Sequence, residues 1–436
     1  MLGFVQSFWT QRANPIGVDF GSDCLRLAQV QQVEGDFRLV AAASADVPPH
    51  VRRDPQARLN FLTDNIRELL TQAPFRGRTA VMGLPASVMH IQHLRLARMD
   101  ESALKKAIQW EARGKLPIDP AHALLRHMVA GDIYHDQESK IEVICMAAAR
   151  DWINQFLAAA SKARLDVIGM NVEPMALVDC FSHVYRRKVD FDMTQCFVDI
   201  GSCGTRAIIA RSGKILFARN IPIGGDHLTS VVSQALKINL DDARTLRIKL
   251  ATVPARTETG YAPGAALAPA RPAEPQDLSG DPAEDDDIEL NNRNSPAALA
   301  ERARLAEQAR RVEQACQGVV DQLVSELDLC RRYYEATFAN APVERLIFIG
   351  GEARQRGLCQ HIARELNLAA QVGDPMCRMA KKSDIGLDGG LDRRTPQPAW
   401  SVAFGLSMGG ILHNDKQEIS RGTRDRQPQI AAAEAN

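Results

Sequence analysis

Two short stretches carry the residues best suited to chemistry: Asp19-Phe20-Gly21-Ser22 and, 180 positions further on, Asp199-Ile200-Gly201-Ser202. Each lies between two apolar runs, the pattern of a tight turn joining two strands. A phosphate chain needs backbone N–H groups aimed at it with no side chain in the way, and glycine in a turn supplies that approach. Ser22, Ser202 and Thr205 add hydroxyl donors. Asp19 and Asp199, at strand ends, suit a Mg²⁺ held through its own waters, because that ion keeps several waters and takes one or two carboxylates. A single Asp-x-Gly-Ser reads as an ordinary turn, since these residues favour turns for local backbone reasons. Two copies in matching surroundings point instead to a pair of loops that clamp β- and γ-phosphates from both sides. A glycine pair, Gly350-Gly351, followed by Glu352, ends the apolar run 346–349 and lets backbone lie flat against a nucleoside.

Such loops need a frame. The apolar runs 16–20, 24–30 and 37–41 read as a three-stranded meander, followed by a helix with Leu59, Leu62, Ile66, Leu69 and Leu70 on one face and a strand at 79–84. The runs 195–200, 205–210 and 215–221 repeat the meander, and Gly224-Gly225-Asp226 leads into a helix with Leu228, Val231, Val232 and Leu236. Repetition of a whole strand-and-helix unit implies a duplicated α/β domain with a cleft between its halves. Between the copies, strand-like 85–96, a helix capped by Asp100, strand-like 141–149, a helix over 151–162 and a strand at 166–172 form a small α+β insertion. A long helix over 303–338 and a strand at 343–349 follow later.

Composition narrows the partners. Among 436 residues Lys+Arg and Asp+Glu both number 53, so no global field favours nucleic acid or an anionic membrane. The nine Cys include no C-x-x-C pair and several sit in apolar runs, the usage of reduced core thiols. His90 and His93 lie three apart in a strand-like run and so face opposite sides, which argues against a metal pair. The first residues lack the features of a signal peptide, and no run of about 18 apolar residues could span a bilayer. Pro, Ala, Gly and acidic residues dominate 253–300, the composition of a disordered linker; the polar tail over 414–436 reads the same way.

In order and spacing, these motifs resemble the phosphate-1, phosphate-2 and adenosine motifs of the actin, Hsp70 and sugar-kinase superfamily. More narrowly, the chain resembles the FtsA-like PilM family of type IV pilus assembly proteins. The likeness rests on 16–22 with Arg26, on Lys106-Ala107-Ile108-Gln109-Trp110-Glu111-Ala112 with Leu116-Pro117, on 198–205, on 219–226, on 349–351 and on Ala403-Phe404-Gly405-Leu406. It implies an α/β fold of actin-like (ribonuclease H-like) duplicated domains flanking a nucleotide cleft. Its parts would be an N-terminal segment (1–14), subdomain 1A (15–85 and 173–190), an inserted partner-binding subdomain 1C (86–172), subdomain 2A (191–230 and 342–413) and subdomain 2B (231–252 and 301–341). The linker 253–300 and the tail 414–436 complete the chain.

By the same resemblance the ligands are ATP and Mg²⁺. The nucleotide would meet Asp19, Gly21, Ser22, Asp23, Arg26, Asp199, Gly201, Ser202, Thr205, Gly224, Gly225, Arg247, Gly350, Gly351 and Glu352, with Mg²⁺ held through water by Asp19 and Asp199. The family usually has Ala-Glu-x-x-Lys near the ribose where this chain reads Ala243-Arg244-Thr245-Leu246-Arg247, a reversal of one charge. No residue is marked by position as a base or as an orienter of water, so weak or absent turnover is expected. The implied partner is the N-terminal tail of a PilN-like inner-membrane protein, gripped in a groove around 86–96 and the following helix, at the cytoplasmic face of the inner membrane. Pilus motor ATPases and other copies of the chain are further implied partners; nucleic acid is not. A related type II secretion machine, a small-molecule kinase and an FtsA-like polymerising protein are the alternatives.

Overall fold

Strand β1 (Ile16–Phe20) is apolar at every position but two and buried at all five, which places it in the middle of a sheet rather than at an edge. The computed structural model describes residues 13–52, 54–135, 138–251, 296–380, 387–388 and 391–409. In it, β1 joins β2 (Cys24–Val33), β3 (Asp36–Asp46), β4 (Thr79–Leu84) and β8 (Asp166–Val172) in the order β3-β2-β1-β4-β8. The first two pairings are antiparallel hairpins; β1 with β4 and β4 with β8 are parallel.

The second half repeats this plan. Strands β9 (Gln195–Ile200), β10 (Thr205–Arg211), β11 (Lys214–Ile221), β12 (Arg345–Ile349) and β13 (Ala369–Val372) lie in the order β11-β10-β9-β12-β13, with the same two antiparallel and two parallel pairings. The register repeats too: Asp19 stands opposite Arg26 and Asp199 opposite Arg206. The duplicated α/β architecture expected from the sequence is thus the one observed.

Helices close the outer faces. Asp54 caps α1 (Pro55–Gln72) by accepting from Gln56 N and Ala57 N, and its apolar stripe of Leu59, Leu62, Ile66, Leu69 and Leu70 is buried on the first sheet beside α3 (Arg150–Lys162). On the second sheet the long α8 (Pro296–Thr337) contributes Leu323, Leu327, Cys330 and Tyr334, and α9 (Arg356–Glu365) adds Cys359 and Ile362. The short α5 (Lys188–Asp192) precedes β9, and helices α6 (Gly225–Leu236) and α7 (Leu240–Ala251) pack against Val312 of α8. Between the sheets run α4 (Glu173–Ser182) and α10 (401–409), which share a core of Ala176, Leu177, Phe181, Ala403, Phe404 and Leu406. A Cβ on Gly405 would sit 1.7 Å from the Ala176 carbonyl oxygen, so the two helices meet backbone to backbone and only glycine fits.

The insertion is a three-stranded sheet, β5 (Met89–Ala97), β7 (Glu138–Ala149) and β6 (Ala123–His135) in the order β5-β7-β6, with α2 (Glu101–Glu111) on one face. Strand β6 was not expected: Arg126, His127 and Asp132 blur its alternation, and a bulge between Val129 and Gly131 shifts the pattern by one residue. The joint to the second half combines apolar packing of Ala130, Ile144 and Met146 against Ile215 and Ala218 with a polar cluster. Glu142, fully buried, accepts from the Tyr333 hydroxyl at 2.8 Å and contacts His93 Nδ1 at 2.9 Å, while His93 Nε2 lies 3.1 Å from the Ala218 carbonyl.

Two boundaries differ from expectation. Asn14, assigned to the N-terminal segment, donates from its backbone to Val30 and from its side chain to Ser407, and so belongs to the first half. Helix α8 begins at Pro296, inside the stretch 253–300 read as a linker, because the Ala-rich residues after Pro296 can continue a helix. The rest of that linker, residues 1–12 and the tail 414–436 lie outside the described residues. No helix among the described residues is long and apolar enough to cross a membrane.

Candidate functional site

The turns between β1 and β2 and between β9 and β10 face one another across a cavity of about 410 Å³. Of the residues expected to meet a nucleotide, Asp19, Gly21, Ser22, Asp23, Arg26, Asp199, Gly201, Ser202, Thr205, Gly350 and Gly351 line it. Gly224, Gly225, Arg247 and Glu352 do not border this cavity, for reasons visible in their contacts. The N-terminus of α6 ties down the second turn, with Gly225 N donating to Gly201 O at 3.0 Å and Asp226 N to Ser202 O at 2.8 Å. Arg247 forms a bidentate pair with Glu352 at 2.5 and 2.8 Å, joining α7 to the short 3₁₀ turn Gly351–Arg354. Arg244 turns the other way and meets Asp23 of the first turn at 3.3 Å.

Each turn is braced from behind. Arg58 of α1 donates to the carbonyls of Phe20 (3.0 Å) and Gly21 (3.2 Å), which stiffens the first. Thr205 donates its hydroxyl to Ile223 O at 2.7 Å, so this hydroxyl ties the start of β10 to the segment between β11 and α6. Gly350 adopts φ +86° beside Asp199, a left-handed conformation that favours glycine.

The electrostatics separate the two aspartates. Asp199 accepts from Arg206 Nε at 2.8 Å and meets its Nη2 at 2.6 Å, and Arg206 Nη1 reaches Glu173 at 2.8 Å. Burial alone would lower the Arg206 pKa, but these two carboxylates raise it above its ordinary value. Asp19 has a looser partner, Arg26 at 3.9 Å. Burial pushes the Asp19 carboxyl up to about 6, with Arg26 and Arg206 opposing. Burial likewise pushes Glu173 up to about 7, against the pull of Arg206. Glu173 therefore holds a carboxyl of near-neutral pKa against the cavity, committed to an arginine.

Arg206, Glu173 and Arg58 were missed by the sequence reading. Arg206 could have been found, because it follows Asp199 by the same seven positions that separate Arg26 from Asp19. Nothing local marks Glu173 or Arg58. Pro398, Ala399, Ser401 and Val402 were also not foreseen; they add a mostly apolar wall next to Gly350 and Gly351. The cavity volume suits a small ligand. Backbone turns rich in glycine fit phosphates, the apolar wall fits a nucleoside, and Asp19 is the carboxylate without a short arginine contact, which fits a hydrated divalent ion.

A second cavity, of about 840 Å³, borders the insertion. It lies between α2, the helix included in the expected groove, and β6, whereas the expected strand 86–96 does not border it; β5 occupies the opposite edge of the sheet. The missed strand explains the difference.

Comparison with known proteins adds to this geometry. The sequence profile of the family described as "Type IV pilus assembly protein PilM" matches residues 17–258, and that of "Cell division protein FtsA" matches 196–405. The cell division protein FtsA of Rhizobium meliloti (strain 1021) is 22% identical over 274 residues, 62% of this chain and 51% of that protein. The chain thus spans about half the length of that curated relative. Among solved structures, one titled "PilM-PilN type IV pilus biogenesis complex" superposes with a TM-score of 0.66 at 19% identity, covering 91% of this chain and 98% of that one. This likeness is one of fold.

Proposed function

The chain belongs to the PilM family of type IV pilus assembly proteins, and from that premise we propose that it works as an ATP-binding adaptor rather than as a fast ATPase. In this reading ATP lies in the 410 Å³ cavity, its phosphates between the turns at Gly21-Ser22 and Gly201-Ser202 and its base against Gly350, Gly351 and the 398–402 wall. Mg²⁺, when bound, neutralises phosphate charge; Asp19 is the group placed to hold its waters, since Asp199 is engaged by Arg206. Arg247 and Glu352 shape the cleft through their ion pair instead of touching the ribose. Of the two cavity carboxyls that burial raises, Asp19 and Glu173, Glu173 lies nearer neutrality, and its pairing with Arg206 weakens it as a base, consistent with slow or absent turnover.

The inserted subdomain is the proposed partner platform. A structural likeness to a PilM-PilN complex supports a PilN-like tail as its ligand, which would place the chain at the cytoplasmic face of an inner membrane through that partner. Contacts with pilus motor ATPases, or between copies of the chain, belong to the same proposal. The observation that carries the reading is the pair of Asp–Arg hairpins facing a single cavity. Mg-ATP should raise the melting temperature of the protein, and Asp19→Ala should remove the rise without unfolding it. An equal rise in the variant would overturn the clamp.

A further inference from the structure

We infer that the inserted sheet is a clasp across the cleft, hooked onto the edge of the second half, and that Asn220 is the positioning residue through which an occupied cavity tightens it. The insertion is rooted in the first half, which it leaves through residues 85–88 and rejoins through α3, a helix packed on the first sheet. Its other side meets the second half. Strand β11 pairs only with β10 among the described residues, so no ladder joins its outer edge to β5. Side chains cover that edge instead. The Ala218 carbonyl lies 3.1 Å from His93 Nε2 and the Ala218 N–H 3.5 Å from it, while Asn220 Nδ2 donates to Met89 O, at the start of β5, at 3.2 Å. The His93 ring stacks on Phe217 with centroids 4.8 Å apart and meets Tyr333 edge-on at 5.6 Å. At the bulge of β6, Gly131 leaves room for the Phe338 ring, which a Cβ there would approach to 2.9 Å. A ladder would have to be unzipped residue by residue. A few side-chain bonds and ring contacts can part together, leaving both sheets intact.

The clasp starts at the cavity wall. Pro85, Ala86 and Ser87, just before β5, line the cavity from the first half, and Asn220, Ile221 and Pro222 line it from the second. Asn220 faces both ways: its Nδ2 holds Met89, and its Oδ1 is buried with no partner among the described residues. An amide oxygen buried without a donor is unfavourable. A nucleotide brings donors, in its ribose hydroxyls and in the waters of its metal ion. A donor to Oδ1 fixes the amide in the orientation that keeps Nδ2 on Met89, so occupancy of the cavity and closure of the clasp support one another.

The inference rests on the nucleotide reading of the cavity. The test uses the full chain, with release of a fluorescent ATP analogue followed by stopped flow and amide exchange followed by mass spectrometry. Asn220→Ala and His93→Ala should each speed release about fivefold, the effect of one hydrogen bond, although His93 does not border the cavity. The double variant should release little faster than either, because both changes open the same clasp; a rise of about 25-fold, the product of independent effects, would overturn it. Tyr333→Phe, which keeps the ring and removes the hydroxyl from Glu142, replaces His93→Ala if that variant loses cooperative unfolding. Arg98→Ala, which breaks an exposed ion pair with Asp132 inside the insertion, should leave release unchanged, and an equal acceleration there would overturn the assignment. In the wild type Mg-ATP should slow exchange at 89–94 and 216–221 together, and in Asn220→Ala this protection should be lost. Unaltered release in both single variants, with Asp19→Ala still removing the thermal shift, would sink the clasp and leave the nucleotide reading standing. If Mg-ATP fails to stabilise the wild type, that reading falls and exchange alone decides on the clasp: His93→Ala should speed it at 89–94 and at 216–221, and a change confined to 89–94 would overturn the inference.

Discussion

In the first half of the molecule Arg26 stands 3.9 Å from Asp19; in the second half Arg206, at the same register, touches Asp199 at 2.6 Å and reaches on to Glu173 at 2.8 Å. Both halves place their aspartate at the end of a central strand and their arginine seven residues later. Duplication accounts for the shared frame, and the divergence of the two pairs divides the labour. The second hairpin is fastened: its charge is compensated within the protein, its threonine is bonded inward and α6 is tied to its turn. The first keeps a carboxyl near its titration point, ready to respond to a cation or a phosphate. A cleft with one fixed and one responsive wall can hold a nucleotide and register its presence.

The sharpest way to break this comparison is to remove the arginines one at a time. Arg206→Met leaves Asp199 and Glu173 buried without their cation and should cost about 3–5 kcal/mol. Arg26→Met, with its looser contact, should cost far less. Urea unfolding of both variants checks this, and equal losses would erase the asymmetry.

The strands that follow the hairpins differ as well: β12 ends in Gly350-Gly351, while β4 ends at Leu84-Pro85. Gly350→Ala would force an L side chain to φ +86° and set its Cβ 2.4 Å from Asp199 Oδ1. A loss of about 1–3 kcal/mol is expected, together with weaker nucleotide binding. Pro85→Ala, at φ −67°, creates no such clash and should cost less stability. A neutral Gly350→Ala would show that the fastened wall yields more than its contacts imply.

Titration sharpens the responsive side. Asp19 and Glu173 have folded pKa values of about 6 and about 7, above their ordinary 3.8 and 4.5. A carboxyl with a raised folded pKa favours the protonated native state, so its stabilising share is complete below about pH 4 and is lost as pH rises through 6 and 7. The free protein should therefore be less stable at pH 8 than at pH 5 from these groups. If the proposed clamp draws on ionised Asp19, Mg-ATP binding should tighten as pH rises, approaching about tenfold per pH unit well below 6 and levelling off above it. In Asp19→Asn the affinity should be lower and the slope absent near 6; an unchanged slope would move the response to another group.

How much of this was legible follows from where the signals lie. Turn glycines and aspartates, apolar runs and the Asp54 cap are local, so the two meanders, α1 and the cleft could be read directly. The seven-residue offset made Arg206 legible in principle, through the repeat. Strand β6 was hidden by a bulge and by polar residues that serve the groove. Glu173 reaches Arg206 only when the halves close, and Arg247 meets Glu352 across 105 positions, so neither pairing leaves a trace in local sequence.

The smallest expected effect concerns the contact that joins the two walls. Arg244 of α7 meets Asp23 of the first turn at 3.3 Å, with both side chains partly exposed. Such a pair contributes little to stability, about 0.2–1 kcal/mol. Its position gives it a different use, because it bridges the mouth of the cleft from the fastened half to the responsive one. Arg244→Ala should barely move the unfolding midpoint yet speed nucleotide release severalfold, measured by stopped-flow displacement of a fluorescent ATP analogue. The exchange Asp23→Arg with Arg244→Asp should restore part of the slow release that either single change removes. Additive effects in that cycle would mean that the two side chains act independently, and the other contacts between the halves would then hold the cleft shut.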